Sequence, residues 1–351
     1  MLFKVLYKMN RYLRFLKRYA GFKLDNITGN YKPSTCTFVV TNGCNARCVM
    51  CNYWKMKPNN ELTTDEIDNL FSSELWKGCH VTVSGGEPLL RTDLEPIIKI
   101  VHKRTGNKVD INTNSFLFKR MEKLVKECKE EINCVHISLD GLEPEHDRNR
   151  GMTGAFKMVM KTIDVLKADN VPFKVGMTVT KENYKTIYTS FKEYMTKYGY
   201  FSFLTTDTAK HAYGDNTDLD LEMTPEQKEE IIAQAKQIWK ARGYLNTWKY
   251  KLYELFLVDW LRKGKRPGPC YAARYEVRVD PNGDILPCHV MAPLGNIRKN
   301  TFDEIWNSQT TKDFRKKFAS CQLCYRGCHL STFWVNPFKS RLLALKYFLT
   351  K

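Results

Sequence analysis

The chain has 351 residues, 43% of them hydrophobic and 13% aromatic, which excludes a disordered chain and supplies core material for one large or two medium domains. Its formal net charge is +18, from 56 Lys and Arg against 38 Asp and Glu; this favours an anionic partner (acidic lipid, nucleic acid or a phosphorylated substrate) or serves solubility alone. No apolar run could span a bilayer and no signal peptide is visible, so the 12 cysteines are read in a reducing cytosol, as metal ligands before disulfides.

Residues 1–33 open with a basic amphipathic helix, its stripe of Leu2, Val5, Leu6, Met9, Leu13 and Leu16 opposed by Lys4, Lys8, Arg11 and Arg18. Residues 336–351 repeat the pattern with Phe338, Leu342, Leu345 and Leu349. Such ends either dock on the protein's own core or suit peripheral contact with an acidic membrane surface. Between them, residues 34–222 alternate short β-rich runs with amphipathic helices. Strands are expected at Thr37–Thr41, Val81–Ser84, Val109–Asn112, Val135–Leu139, Phe173–Thr180 and Phe201–Leu204. One helix is opened by a capping box of Thr63 and Glu66, and another runs from Gly154 to Asp169. Repeated βα units imply a parallel sheet with right-handed crossovers, an open or partial barrel that binds ligands at the carboxyl ends of its strands.

Residues 223–262 read as a helical linker, begun by Thr224 as N-cap with Pro225 behind it. Residues 263–335 then form a small unit built on the hairpin "YEVRVDPNGDILPC", with a short helix around "TFDEIWNS".

Eight cysteines fall into two groups. Cys44, Cys48 and Cys51 follow the first strand at C-x3-C-x2-C spacing, with no fourth ligand nearby. A structural zinc site is closed by four ligands, whereas three thiolates on a four-iron cluster leave one iron open. Cys270, Cys288, Cys321, Cys324 and Cys328 form the second group, for which spacing alone leaves a zinc site and an iron–sulfur site equally open.

The three-cysteine loop with Tyr53 two residues behind it, "SGGEP" (Ser84–Pro88) after the second strand, "NTNS" (Asn112–Ser115) after the third, and "HISLDG" (His136–Gly141) at the fourth resemble the radical SAM enzyme family. The resemblance covers about residues 36–205. It implies a partial (β/α)6 barrel, and a [4Fe–4S] cluster on Cys44, Cys48 and Cys51 whose open iron takes S-adenosylmethionine (SAM). It further implies reductive cleavage of that cofactor to a 5′-deoxyadenosyl radical. By the same resemblance Tyr53, Gly85, Gly86 and Glu87 line the cofactor, Glu87 at its ammonium. Ser138, ahead of Asp140, reaches the ribose, and Arg150 the carboxylate. Ser115 stands where relatives commonly carry glycine.

The second cysteine group resembles the C-terminal SPASM and twitch extensions of that family. The shorter twitch form implies an auxiliary [4Fe–4S] cluster on Cys270, Cys288, Cys321 and Cys324, with Cys328 surplus. A cluster with four cysteine ligands suits electron transfer, so a two-electron oxidation of a small-molecule, sugar or lipid-linked substrate is expected, served by a low-potential donor such as flavodoxin or ferredoxin. The alternatives are a maturase acting on a ribosomally made peptide or protein side chain, and a non-enzymatic basic metal-binding protein; no nucleic-acid module is recognisable. The short stretch ahead of the cluster loop weighs toward the first reading. His146, His211, His289 and His329 are the candidates for the substrate's proton.

Overall fold

The computed structural model describes residues 20–21, 24–206, 208–242, 248–265 and 270–324. Both terminal amphipathic helices, Cys328 and His329 lie outside the described residues.

The expected alternation is present. β1 (Thr35–Val39), α1 (Thr64–Leu70), β2 (His80–Ser84), α2 (Leu94–Thr105), β3 (Val109–Thr113), α3 (Phe118–Cys128) and β4 (Ile132–Ser138) make the first half. α4 (Glu143–Arg150), α5 (Ala155–Ala168), β5 (Phe173–Val179), α6 (Ile187–Tyr198) and β6 (Ser202–Thr205) make the second. α7 (Pro225–Ala241) and α8 (Trp248–Lys263) lead to the C-terminal extension, with β7 (Glu276–Val279), β8 (Asp284–Leu286), β9 (Gly295–Asn296), α9 (Phe302–Asn307) and α10 (Gln309–Lys317).

Local chemistry accounts for the element starts. Thr63–Glu66, Thr224–Gln227 and Thr301–Glu304 form reciprocal capping boxes that satisfy orphan N–H groups of α1, α7 and α9. The Asp147 carboxylate accepts from Gly154 N and Phe156 N at 2.6 and 2.8 Å, fixing the start of α5.

The sheet has nine strands in the order β6-β5-β4-β3-β2-β1-β7-β8-β9, with β1 to β6 parallel throughout. Because each strand is added on the same side of its predecessor, right-handed crossovers place the connecting helices on one face. That face carries the apolar core: Phe38, Val83, Ile111, Val135, Ile137 and Val175 are all at most 1% exposed. Alternation sends Thr37, Thr82, Asp110, His136 and Ser138 to the other face, where they are half-buried and polar. The parallel strands bring the loops after β1 to β5 to one edge, which is where the site lies.

Two differences from expectation bear on function. β1 ends at Val39, because Thr41 leaves the strand to bond with the glycine loop after β2 and with Glu61. The C-terminal hairpin is also less separate than a 263–335 unit suggests. β7 pairs in parallel with β1, from Thr35 against Glu276 to Phe38 against Val279, so the extension continues the core sheet. Trp76 and Phe302 add ring packing across the join, their centroids 4.1 Å apart.

Candidate active site

The loop carrying Cys44, Cys48 and Cys51 is held by the loops around it. Arg47 N and Val49 N donate to the carbonyls of Arg150 and Asn149, both at 3.1 Å, at the end of α4. Gly86 N and Glu87 N donate to the carbonyls of Thr41 and Gly43, at 2.9 and 2.8 Å. From the stretch after β6, the Tyr213 carbonyl accepts from Asn52 N at 2.7 Å, and the buried Asn216 side chain donates to the Met50 carbonyl at 2.9 Å.

These contacts correct the expected role of the glycines. A Cβ on Gly85 or Gly86 would collide with the carbonyl of Thr41 or of Gly43. The pair is therefore required by the approach of one loop to the other, ahead of any contact with a cofactor. Gly151, with φ +61°, plays the same part for α4, since a Cβ there would collide with the Arg47 carbonyl.

Glu87 has protein partners of its own. It is fully enclosed, and its carboxylate accepts from Thr113 Oγ1 at 2.8 Å, Asn114 N at 2.7 Å and Leu89 N at 3.1 Å. Burial pushes its carboxyl up to about 7 against the pull of those hydrogen bonds. Glu87 thus ties the glycine loop to the end of β3.

Asp140 is likewise consumed. Its carboxylate accepts from Asn149 Nδ2 at 2.6 Å and Thr178 N at 2.8 Å, and it pairs with Arg150 Nε at 2.6 Å. Ser138, half-buried at the end of β4, stays open to the polar face, as does His136 of the same motif. Arg150, expected at the cofactor's carboxylate, lies beside the cysteine loop, where its Nη1 donates to Cys48 Sγ at 3.7 Å. Tyr53 is buried, with its hydroxyl accepting from Arg278 Nη2 at 3.1 Å. It reaches toward the extension.

Sequence reasoning missed two contributors. Asn114 Nδ2 stands 4.0 Å from Cys44 Sγ, and the Tyr213 carbonyl accepts from the Cys51 thiol at 3.5 Å. Asn114 sits in the quoted "NTNS"; the "YGDN" turn signal at Tyr213–Asn216 was the only hint of the second.

The donor set fits an iron–sulfur cluster. Burial pushes the Cys44 thiol up to about 11 and that of Cys51 up to about 12, with neighbouring thiols adding to both rises. Three crowded thiols that resist ionisation together call for a multivalent cation to hold them as thiolates. Among the described residues no three His, Cys, Asp or Glu side chains converge on a position for one metal ion. A cubane, which takes each thiolate on a different iron, needs no such convergence.

In the extension, Cys270, Cys288, Cys321 and Cys324 line one cavity with Tyr271, Val290 and Met291. Cys288 Sγ accepts from Val290 N at 3.5 Å, and burial pushes its thiol up. Of the histidines, His146 is fully enclosed with Nδ1 accepting from Asp140 N at 3.1 Å, and burial pushes it down to about 4. It is removed as a proton acceptor. His211 lies near Asp280, which pairs with Arg278, and His289 Nδ1 accepts from Arg278 Nη1 at 3.0 Å; both rings stay partly exposed.

Residues 38–193 match the radical SAM superfamily, and residues 270–329 match SPASM, an iron–sulfur cluster-binding domain. The AdoMet-dependent heme synthase of Methanosarcina barkeri is 29% identical over 327 residues, 83% of this chain and 88% of that protein. The sporulation killing factor maturation protein SkfB of Bacillus subtilis is 26% identical over 299 residues, 84% of this chain and 69% of that protein. Among solved structures, anSMEcpe with bound AdoMet superposes with a TM-score of 0.61 at 17% identity, covering 90% of this chain and 100% of that one. Streptococcus suis SuiB bound to S-adenosylmethionine gives 0.59 at 17% identity, over 86% and 74%. The two matched domains imply a SAM-binding [4Fe–4S] cluster and auxiliary iron–sulfur cluster binding. Residues 38–193 thus form a radical SAM domain, and residues 270–329 a C-terminal SPASM-type extension.

Proposed function

We propose that this enzyme is a maturase that oxidises a side chain of a ribosomally made peptide or of a protein. The observation that carries the reading is the match to the maturation protein SkfB over 84% of this chain, through both the SAM region and the extension. Bound together, the cluster and S-adenosylmethionine supply a 5′-deoxyadenosyl radical. Cys44, Cys48 and Cys51 would hold the first cluster, and Cys270, Cys288, Cys321 and Cys324 an auxiliary one that accepts an electron.

The rest is done by the chain's own residues. Arg150 sets a fixed positive charge beside Cys48, and Asn114 a donor beside Cys44. Ser138 serves the ribose. Val49, Trp54, Met56 and Leu90, all about 40% exposed (39%, 40%, 39% and 42%), give the rim of the cysteine and glycine loops an apolar surface for a peptide. His211 takes the substrate's proton.

The test uses the reconstituted enzyme, SAM, a reductant and a short precursor peptide encoded beside this chain. Formation of 5′-deoxyadenosine that depends on the peptide, with loss of two hydrogens from it, supports the proposal. Peptide-independent turnover with an unchanged peptide mass sinks it. A second reading, oxidation or cyclisation of a small molecule, is supported by the match to a heme synthase over 83% of this chain.

A further inference from the structure

Arg278 lies on β7 opposite Thr37 of β1, 4% exposed. Each of its guanidinium nitrogens has a partner. Nε donates to Asp280 Oδ1 at 2.6 Å, Nη1 to His289 Nδ1 at 3.0 Å, and Nη2 to Tyr53 Oη at 3.1 Å. Guanidinium has no acceptor, so His289 Nδ1 must accept, which places the proton of the neutral ring on Nε2.

The positions of the partners give the cation its meaning. Tyr53 stands two residues after Cys51, and His289 directly follows Cys288. One rigid group therefore joins the backbone of the first cysteine site to that of the second. Stability alone does not call for it, because β7 is already joined to β1 by strand pairing, and burying a charge costs several kcal/mol before its partners compensate. A planar fork with donors in fixed directions holds three partners in one plane; a lysine ammonium on a flexible stem does not.

We propose that Arg278 is a positioning residue that couples the two cysteine sites, transmitting the setting of Tyr53 to the His289–Cys288 turn. Cofactor binding beside Tyr53 then alters the surroundings of the auxiliary cluster, and by linkage the auxiliary cluster alters the affinity for cofactor. The inference rests on the reading of Cys51 and Cys288 as ligands of different clusters.

The experiment is an EPR-monitored redox titration of the reconstituted holoenzyme, with and without SAM, for wild type, Tyr53→Phe and Arg278→Lys. Tyr53→Phe keeps the ring and loses one hydrogen bond; Arg278→Lys keeps the charge and loses the fork. SAM is expected to shift the midpoint potential of the auxiliary cluster in the wild type, and the shift is lost in both variants at full iron content. A wild type without the shift, or variants that keep it, overturns the proposal. So does loss of iron from both variants, which would make Arg278 a folding residue. Iron content of a variant with Cys270, Cys288, Cys321 and Cys324 changed to Ala checks the ligand reading separately: full retention there sinks that reading and the coupling with it, whereas loss of about four irons beside an unshifted wild-type potential sinks the coupling alone.

Discussion

The two cysteine sites are built on opposite plans. The three cysteines of the first lie within one short loop, and hydrogen bonds from the ends of α4, the glycine loop and the stretch after β6 set that loop in place. The second draws Cys270, Cys288, Cys321 and Cys324 from segments far apart in the chain, around a single cavity. Holding such segments together closes long loops, so a metal that bridges them contributes more to local folding than one seated in a preset loop. The first site is prepared by the protein; the second, under the proposed ligand assignment, is completed by its metal.

The largest expected effect breaks the first site. Changing Cys44, Cys48 and Cys51 together to Ala should abolish 5′-deoxyadenosine formation and remove about four irons per chain. The melting temperature should barely move if the loop is truly set by its hydrogen bonds, and a large drop would falsify that contrast. Next comes iron removal from the holoenzyme. Chelation should strip hydrogen-exchange protection from residues 284–324 while β1 to β6 keep theirs. Equal loss in both regions would erase the distinction.

Arg150→Gln attacks the brace beside Cys48. It leaves the enclosed Asp140 without its cation and should cost about 3–5 kcal/mol in chemical denaturation. Adding Asp140→Asn should restore part of the loss. Ser115→Gly runs the other way. Ser115 holds a left-handed φ of +66° with its hydroxyl buried and without a partner, so glycine should stabilise by about 1 kcal/mol.

The smallest effect concerns the join between the regions. Arg298, beyond β9, makes two hydrogen bonds to Glu66 of α1, at 2.6 and 3.0 Å. The Arg298 guanidinium holds the Glu66 carboxyl at about 2, below its ordinary value of 4.5. A depressed carboxyl stabilises above its unfolded value, and the contribution fades as pH falls from about 4.5 through about 2. Glu66→Gln should therefore narrow the stability gap to wild type over that window, and a gap independent of pH would rule the clasp out. At neutral pH the gap should be below about 1 kcal/mol.

Much of the core was legible from local pattern. Strand alternation, the capping box at Thr63, the N-cap at Thr224 and the hairpin turn at Asp280–Gly283 are short-range signals, and the structure carries all of them. The three-cysteine loop and the glycine motif could be placed because each follows a strand whose end the sheet brings to one edge. Ser115 is the instructive departure: the backbone conformation that glycine takes freely is kept, at a cost in strain.

What only the tertiary structure decided concerns partners distant in sequence. A carboxylate in a motif looks available for a ligand until its neighbours are known, and Glu87 and Asp140 turn out to be spent on protein donors. Tyr53 and Arg278 lie 225 residues apart, and no periodicity relates them. The pairing of β7 with β1 arises in the same way, because a parallel edge accepts any strand of suitable length and face, whatever its place in the chain. Sequence alone determined the residue types and local turns that the chemistry requires. Burial, which strips water from a polar group and obliges it to find a partner, determined which of them remain open to a cofactor.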